Sequence, residues 1–200
     1  MFEILFVCTG NRCRSPIAEE QLRRLAGDLP VTVGSVGLLD LGAAPALPEV
    51  LEVAGSFGLD LSRHRARHLT GIDLSSVDLV VGLERSHVAA AVVEANVPYD
   101  RTFTLKEIVR LLSQVRAEPE TSDPADRARA MVALAHDQRR DEPAFVAGED
   151  IEDPFGGPRS AYVEMAQTVA QMCRSLMEGL FGRNHDVRSG SGARSAPGRA

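Results

Sequence analysis

The chain has 200 residues, 44% of them hydrophobic and 25% charged, which is typical of a globular protein long enough for one α/β domain with a core of its own. A formal net charge of −6, no tryptophan and 4% aromatic residues argue against nucleic-acid binding, which depends on basic faces and stacking platforms. No apolar run approaches the roughly 18 residues of a membrane span, and Glu3 is atypical of a secretory signal. Three cysteines (Cys8, Cys13 and Cys173) cannot make a disulfide framework, so we expect a cytoplasmic, reducing location without membrane attachment.

Strand and helix patterns alternate along the first half of the chain. Residues 2–7 predict a strand buried on both faces, and the turn-forming stretch 8–11 follows it. Ser15 and Pro16 predict the start of a helix, with Ser15 as its N-cap, that ends near Ala26. Further strands are predicted at 31–36, 77–81 and 101–104, and further helices at 47–57, 84–95 and 105–115. This alternation indicates a parallel sheet covered by helices on both faces.

The second half of the chain differs in composition. Residues 117–149 are rich in Asp, Glu, Arg, Ala and Pro, with a helix predicted at 125–140. A turn pattern at 151–157 precedes a long amphipathic helix predicted at 158–180. Residues 184–200 are rich in Gly, Ser, Arg and Pro, which predicts a disordered tail.

The junction between the first strand and the first helix has the spacing of an anion site. Five residues separate Cys8 from Arg14, enough for a loop that curls into a ring with its N–H groups pointing inward. Gly10 supplies a permissive backbone, and Asn11 tolerates the left-handed region better than most residues. Since the helix N-terminus adds partial positive charge, the sequence predicts a phosphate cradle here.

Two side chains of this loop add chemistry to the cradle. Cys8 would lie on its floor, where the helix end, the inward amides and Arg14 favour a thiolate. Arg14 can bind two oxygens of an oxyanion in parallel, and Ser15 is placed to donate a hydrogen bond to the sulfur. A nucleophile below phosphorus and a guanidinium on its oxygens form a phosphoryl-transfer device. The simpler alternative is that Cys8 is a small buried hydrophobe at a strand end.

Residues 8–19, CTGNRCRSPIAE, resemble the C-x-G-N-x-C-R-S-P-x-A-E signature of the low-molecular-weight protein tyrosine phosphatases. Residues 62–67, SRHRAR, are similar to the S-x-H-x-A-R segment of that family, and Asp153-Pro154-Phe155 is similar to its D-P-[YF] loop. The resemblance covers residues 1–112 and 150–182. It implies a flavodoxin-like, three-layer α/β/α fold with a four-stranded parallel sheet, in a single domain over 1–183 with a helical insertion at about 113–149.

The resemblance also implies roles for individual residues. Cys8 is the nucleophile that forms a cysteinyl-phosphate, Arg14 binds the phosphoryl oxygens, and Asp153 is the general acid and then the general base. No metal or cofactor takes part. The other implied substrate-binding residues are Thr9, Gly10, Asn11, Arg12, Cys13, Ser15 and Phe155. The implied substrate is a phosphorylated protein or a small phosphomonoester, and the expected state is a monomer or weak dimer.

Several assignments have alternatives. Asp150 and Glu152 lie beside Asp153, which is preferred as the acid because the following Pro-Phe-Gly stiffens its loop. Cys13 is either a core cysteine or, by the resemblance, the partner of Cys8 in a protective disulfide. Cys173 is assigned to the core. The basic link 62–70 is expected to be mainly structural, and the insertion at 113–149 is a lid, a partner surface or an inert exposed helix.

Arg12 departs from the family pattern, where this position is usually uncharged. Residues 102–107, TFTLKE, and 153–157, DPFGG, look like the bacterial branch that includes protein-arginine phosphatases. Because Arg12 would repel the guanidinium of phosphoarginine, an aryl phosphate ranks first and phosphoarginine second. A thiol arsenate reductase is disfavoured because no cysteine lies between Cys13 and Cys173 to relay a disulfide. A non-catalytic phosphate-binding module is disfavoured by the intact catalytic set.

Overall fold

Four parallel strands form a sheet with the order β2-β1-β3-β4. The computed structural model describes residues 1–141 and 146–182, so the predicted tail at 184–200 lies outside the described residues. The strands are β1 (Phe2–Cys8), β2 (Val31–Gly37), β3 (Leu79–Gly82) and β4 (Thr102–Thr104). The α-helices are α1 (Arg14–Ala26), α2 (Pro48–Ser56), α3 (Arg85–Val93), α4 (Leu105–Gln114), α5 (Pro124–Gln138) and α6 (Arg159–Phe181).

The central strand β1 supplies side chains to both faces of the sheet. Phe2, Ile4 and Phe6 face the larger core, where α1, α2, α4, α5 and α6 pack. Leu5 and Val7 face a smaller core covered by α3 and the segment that precedes β3. Because successive side chains of a strand point to opposite faces, this run of apolar residues requires cover on both sides. The predicted α/β architecture with a helix-flanked, four-stranded parallel sheet is confirmed.

The start of α1 differs from its prediction. The helix begins at Arg14, Cys13 occupies the cap position, and no side chain caps the helix. Ser15 therefore lies within the first turn, and its assignment as N-cap is wrong. Its hydroxyl instead lies 3.0 Å from the Cys8 sulfur and accepts a hydrogen bond from the Asn11 side chain. A tertiary contact has replaced the local capping rule.

Helix α5, within the compositionally distinct segment, is part of the main core. Asp123 caps its N-terminus by accepting hydrogen bonds from Ala125 N and Asp126 N, both at 2.9 Å. Its buried face consists of Ala125, Ala128, Met131, Val132 and Ala135. Since these side chains pack in the same core as α1 and α6, an inert exposed helix does not describe α5.

Helix α6, with 23 residues, is the longest helix in the described part of the chain. It packs against α1, α2, α4 and α5, with apolar side chains along one face and charged ones along the other. Across residues 1–141 and 146–182, no helix combines the length and the apolar character that a membrane crossing needs.

The carboxyl end of β1 is the point at which the sheet offers a site. β1 lies between β2 and β3, and the loop to α1 leaves its end. In open parallel sheets a crevice forms where neighbouring connections leave toward opposite faces, as α1 and α3 do here. Gly37, at the end of β2, allows that loop to approach closely. A Cβ at Gly37 would lie 2.8 Å from Asn11 N and 2.9 Å from Gly10 C.

We expect Gly37→Ala to push the loop away from β2 and to cost about 2 kcal/mol of unfolding free energy, since overpacking against backbone has no flexible side chain to relieve it. Denaturant unfolding measures the cost. Gly55→Ala, in α2, is the matched control because a Cβ there meets nothing within 4 Å and alanine favours helix. Equal stability of the two variants would contradict the close approach.

Candidate active site

The loop between Cys8 and Arg14 turns sharply at Asn11. Asn11 has a φ of 49°, in the left-handed region, as its residue type predicts. The glycines with positive φ do not include Gly10, so the strained position of this loop is Asn11 itself. A Cβ at Gly10 would lie 3.3 Å from Leu41, which makes small size the role of this glycine.

The buried Asn11 side chain ties the loop to three other parts of the fold. Its amide nitrogen donates to Ser15 Oγ at 2.9 Å and to Ser35 Oγ at 2.7 Å. Its amide oxygen accepts from the Arg67 backbone N–H at 2.9 Å. The amide orientation follows from these partners, because a backbone N–H can only donate. α1, β2 and the basic link thus hold one residue of the loop.

The basic link supports the loop from behind. His64 Nε2 lies 2.6 Å from the Asn11 carbonyl, which can only accept, so Nε2 carries the proton. Burial lowers the pKa of His64 and favours this neutral ring. The Arg67 guanidinium donates to Ser35 O at 3.0 Å, whereas the Arg65 guanidinium donates to carbonyls of its own link, Ser62 O and His64 O. These contacts agree with the structural role expected of the link.

The sulfur of Cys8 lies in the ring of the loop. The side chain is 2% exposed, and Asn11 N donates to the sulfur at 3.2 Å. Ser15 Oγ lies 3.0 Å away on the helix side. Cys13 is also buried, and burial raises the pKa of its thiol, which keeps that thiol protonated at neutral pH. Both cysteines are free thiols here, so the protective disulfide stays a prediction.

Arg14 is 1% exposed and extends along the edge of the loop. Its Nη1 pairs with Glu84 and donates to Ile151 O at 2.9 Å. Its Nη2 donates to Thr9 Oγ1 at 3.2 Å and to Asp153 Oδ2 at 2.7 Å. Its Nε is buried and has no hydrogen-bond partner among the described residues. A buried N–H without a partner is available to an acceptor, and an oxyanion bound in this loop would supply one.

Asp153 is the acidic residue of its loop that reaches Arg14. Its Oδ1 accepts from Phe155 N at 3.2 Å, which holds the turn after Pro154. Asp150 instead accepts from Arg85 N at 2.8 Å at the start of α3, and Glu152 is exposed. The geometry therefore separates the three neighbouring carboxylates and brings Asp153 to the loop.

A pocket of about 290 Å³ opens above the loop. Its lining residues are Cys8, Thr9, Gly10, Arg12, Cys13, Arg14, Leu39, Leu41, Leu47, Asp153 and Phe155. Phe155 is 72% exposed and stands at the mouth. Asn11 and Ser15 do not line the pocket and are buried behind it, where they hold the loop.

Two polar residues of the site were missed in the sequence. Glu84 follows β3 and pairs with Arg14. Burial acts to raise the pKa of Glu84, but the hydrogen bond and the charge of Arg14 outweigh burial and lower this pKa. His87 is buried and its Nδ1 accepts from Glu84 N at 3.0 Å. A Glu-x-x-His pattern directly after a strand is the feature of the sequence that could have indicated both residues, because their side chains form a capping box for α3. The apolar walls Leu39, Leu41 and Leu47 were also not predicted.

Burial, together with the charge of Arg14, lowers the pKa of His87 to about 4. The ring in an unfolded chain has a pKa near 6.5, so the fold favours the neutral form. The stability from this preference is present above about pH 6.5 and is lost as the pH falls toward 4.

We therefore expect the wild type to lose about 2–3 kcal/mol more unfolding free energy than His87→Gln between pH 7.5 and 4.5. Urea unfolding at both pH values gives the comparison. Identical slopes for the wild type and His87→Gln would refute the neutral buried histidine.

Comparison with known proteins places this geometry in a family. The sequence profile described as "low molecular weight phosphotyrosine protein phosphatase" matches residues 3–138. A probable low molecular weight protein-tyrosine-phosphatase, EpsP of Ralstonia nicotianae, is 45% identical over 82 residues, which are 40% of this chain and 54% of the relative. The chain thus aligns with about half the length of that relative.

Two other relatives match over most of the chain. The protein-arginine-phosphatase of Bacillus subtilis is 35% identical over 182 residues, which are 89% of this chain and 96% of the relative. The crystal structure of a low molecular weight protein tyrosine phosphatase from T. tengcongensis is 29% identical, with a TM-score of 0.66 over 90% of this chain and 100% of the other. The family profile matches more than half of the chain, and the fold matches that of the solved family structure. The chain therefore belongs to the low molecular weight phosphotyrosine protein phosphatase family.

Proposed function

We propose that this protein hydrolyses an aryl phosphomonoester, with phosphotyrosine as the favoured substrate, through a cysteinyl-phosphate on Cys8. The observation that carries the proposal is that Cys8, Arg14 and Asp153 line one pocket, with the Arg14 Nε buried and without a hydrogen-bond partner among the residues that the structure describes. A phosphate dianion would accept from this nitrogen and from the inward amides of the loop.

The first step transfers the phosphoryl group to sulfur. Phosphoryl oxygens displace the Asp153 carboxylate from Arg14, while Glu84 and the Ile151 carbonyl keep the guanidinium in place. The Cys8 sulfur then attacks phosphorus, the S–P bond forms and the P–O bond to the aryl group breaks. Once it is released from Arg14, the Asp153 carboxylate takes up a proton from solvent and gives this proton to the leaving phenoxide oxygen, which leaves poorly as an anion.

The second step regenerates the protein. Asp153, now a carboxylate, accepts a proton from a water molecule that attacks phosphorus on the side the phenol has left. The S–P bond breaks, inorganic phosphate departs, and the electron pair returns to sulfur. The scheme uses one carboxyl group first as acid and then as base, as its position at the pocket mouth allows.

The walls of the pocket favour an aromatic ester. Leu39, Leu41 and Leu47 line it with Phe155, so that a ring attached to the phosphate would contact apolar side chains. A long match to the protein-arginine-phosphatase of Bacillus subtilis supports phosphoarginine as the second candidate. The guanidinium of Arg12, in the same lining, opposes that candidate because it would lie near a second guanidinium.

Thiol-dependent arsenate reduction fits the fold less well. Such chemistry needs a further cysteine to take over a disulfide from the nucleophile. Cys173 is completely buried in α6, where burial raises the pKa of its thiol. It is therefore neither accessible nor reactive enough for a relay.

Cys8→Ser should abolish hydrolysis of aryl phosphates because a serine hydroxyl is a far weaker nucleophile in this site. Asp153→Ala should lower kcat/KM, which reports the phosphoryl-transfer step, by about 10²–10⁴-fold for a phenol that leaves poorly, and by much less for a nitrophenol. Steady-state kinetics without added metal, over a series of leaving groups, measures both effects.

Glu152→Ala is the control for the acid, since Glu152 is a neighbouring exposed carboxylate, and it should stay near the wild type. Turnover that depends on a metal and survives Cys8→Ser would overturn the mechanism. Equal losses over all leaving groups for Asp153→Ala would remove its role as acid.

Arg12→Thr should reduce the preference for phosphotyrosine over phosphoarginine peptides by about tenfold, because the repulsion of the arginine substrate is relieved. The readout is the ratio of kcat/KM values for two peptides that differ only in the phosphorylated residue. Arg116→Thr removes the same charge from an exposed position after α4 and should leave the ratio unchanged. An unchanged ratio in Arg12→Thr would show that this charge does not select the substrate.

A further inference from the structure

The hydroxyl oxygen of Thr9 receives hydrogen bonds from two sides. Arg14 Nη2 lies 3.2 Å from Thr9 Oγ1, and His87 Nε2 lies 3.1 Å from the same oxygen. A guanidinium can only donate, so the Arg14 contact uses one lone pair of the oxygen. The role of Thr9 then depends on which nitrogen of His87 carries its proton.

The tautomer of His87 follows from its other contact. His87 Nδ1 accepts from the backbone N–H of Glu84 at 3.0 Å, so Nδ1 carries no proton. The ring is 1% exposed and lies near the Arg14 charge, both of which favour a neutral imidazole. A neutral imidazole whose Nδ1 is unprotonated carries its proton on Nε2, and Nε2 therefore donates to Thr9 Oγ1.

A threonine oxygen that accepts two hydrogen bonds has one direction left for its own proton. Two lone pairs are used, and the bond to Cβ takes the third tetrahedral position. Thr9 lines the same pocket as Cys8 and Arg14. Within residues 1–141 and 146–182 no group accepts this proton, which leaves a hydroxyl donor for a ligand in the pocket.

We propose that Thr9 donates a hydrogen bond to a phosphoryl oxygen of the substrate, and that His87 is the positioning residue that fixes this donor. The inference rests on the proposed phosphatase function and adds a substrate contact to it. Glu84 connects both donors, since its carboxylate pairs with Arg14 and its backbone N–H sets the tautomer of His87.

The first experiment tests the hydroxyl of Thr9. Thr9→Val removes the donor at nearly equal size and should weaken inhibition by inorganic phosphate about tenfold, with a similar loss in kcat/KM for an aryl phosphate. Thr9→Ser restores the hydroxyl and should recover most of both losses. Thr32→Val, on the exposed side of β2, is the matched control. Phosphate inhibition of Thr9→Val equal to the wild type would overturn the proposal.

The second experiment separates the two nitrogens of His87. The amide of Asn can replace Nδ1 and cap α3 but cannot reach Thr9, whereas the amide nitrogen of Gln can replace Nε2. We expect His87→Asn to weaken phosphate inhibition as Thr9→Val does, and His87→Gln to retain more of it although the cap is lost. If His87 were merely structural, phosphate inhibition would follow stability, and His87→Asn, which keeps the cap, would retain more of it than His87→Gln.

A double-mutant cycle tests whether His87 acts through Thr9. In a Thr9→Val background, His87→Asn should cause no further loss of phosphate binding, whereas independent roles would give additive losses. Calorimetric titration with inorganic phosphate makes the readout independent of turnover. A wild type that binds phosphate through Thr9 but hydrolyses no aryl phosphate would refute the proposed function alone. An active wild type with an unaffected Thr9→Val would refute this inference alone.

Discussion

The buried amide of Asn11 connects the loop above Cys8 to α1, to β2 and to the basic link, and the geometry of the site depends on it. The Asn11 side chain makes three hydrogen bonds of 2.7–2.9 Å, each to a different part of the fold. An asparagine is suited to this place because it tolerates a φ of 49° and carries both donors and an acceptor. The conformation of the loop, with Asn11 N directed at the Cys8 sulfur, is therefore held by contacts with the packed core.

The charge of Arg14 is the second constraint. A guanidinium that is 1% exposed is costly to desolvate unless carboxylates offset it, and Glu84 and Asp153 do so from opposite ends. Asp153 lines the pocket and Glu84 does not, so under the proposed function Glu84 is the fixed partner of Arg14 and Asp153 the exchangeable one. Under the proposed function, binding of phosphate to Arg14 and release of the acid from Arg14 are the same event.

The start of α3 contributes to the site as well as to the fold. Glu84 and His87 cap this helix, and the same two side chains contact Arg14 and Thr9. A capping box is a local device, so the positions of Glu84 and His87 are set by the start of α3 itself. Arg12 adds a cation to the lining of the pocket, held by a hydrogen bond of 2.7 Å from its Nε to Pro45 O.

Hydrophobic periodicity and the spacing of a loop are local properties, so the sequence by itself determined the parallel α/β layout and the loop from Cys8 to Arg14. The candidate acid Asp153 came from the resemblance of its loop to that of a known family. The sequence did not reveal Glu84, which meets Arg14 across 70 positions of chain, and it placed Ser15 at a helix cap where local rules favour it. Only the packed structure decided that Ser15 faces Cys8, that Asp153 and not Asp150 reaches Arg14, and that His87 contacts Thr9. These contacts arise where separate strands end at one edge of the sheet, and no local pattern encodes which distant side chains meet there.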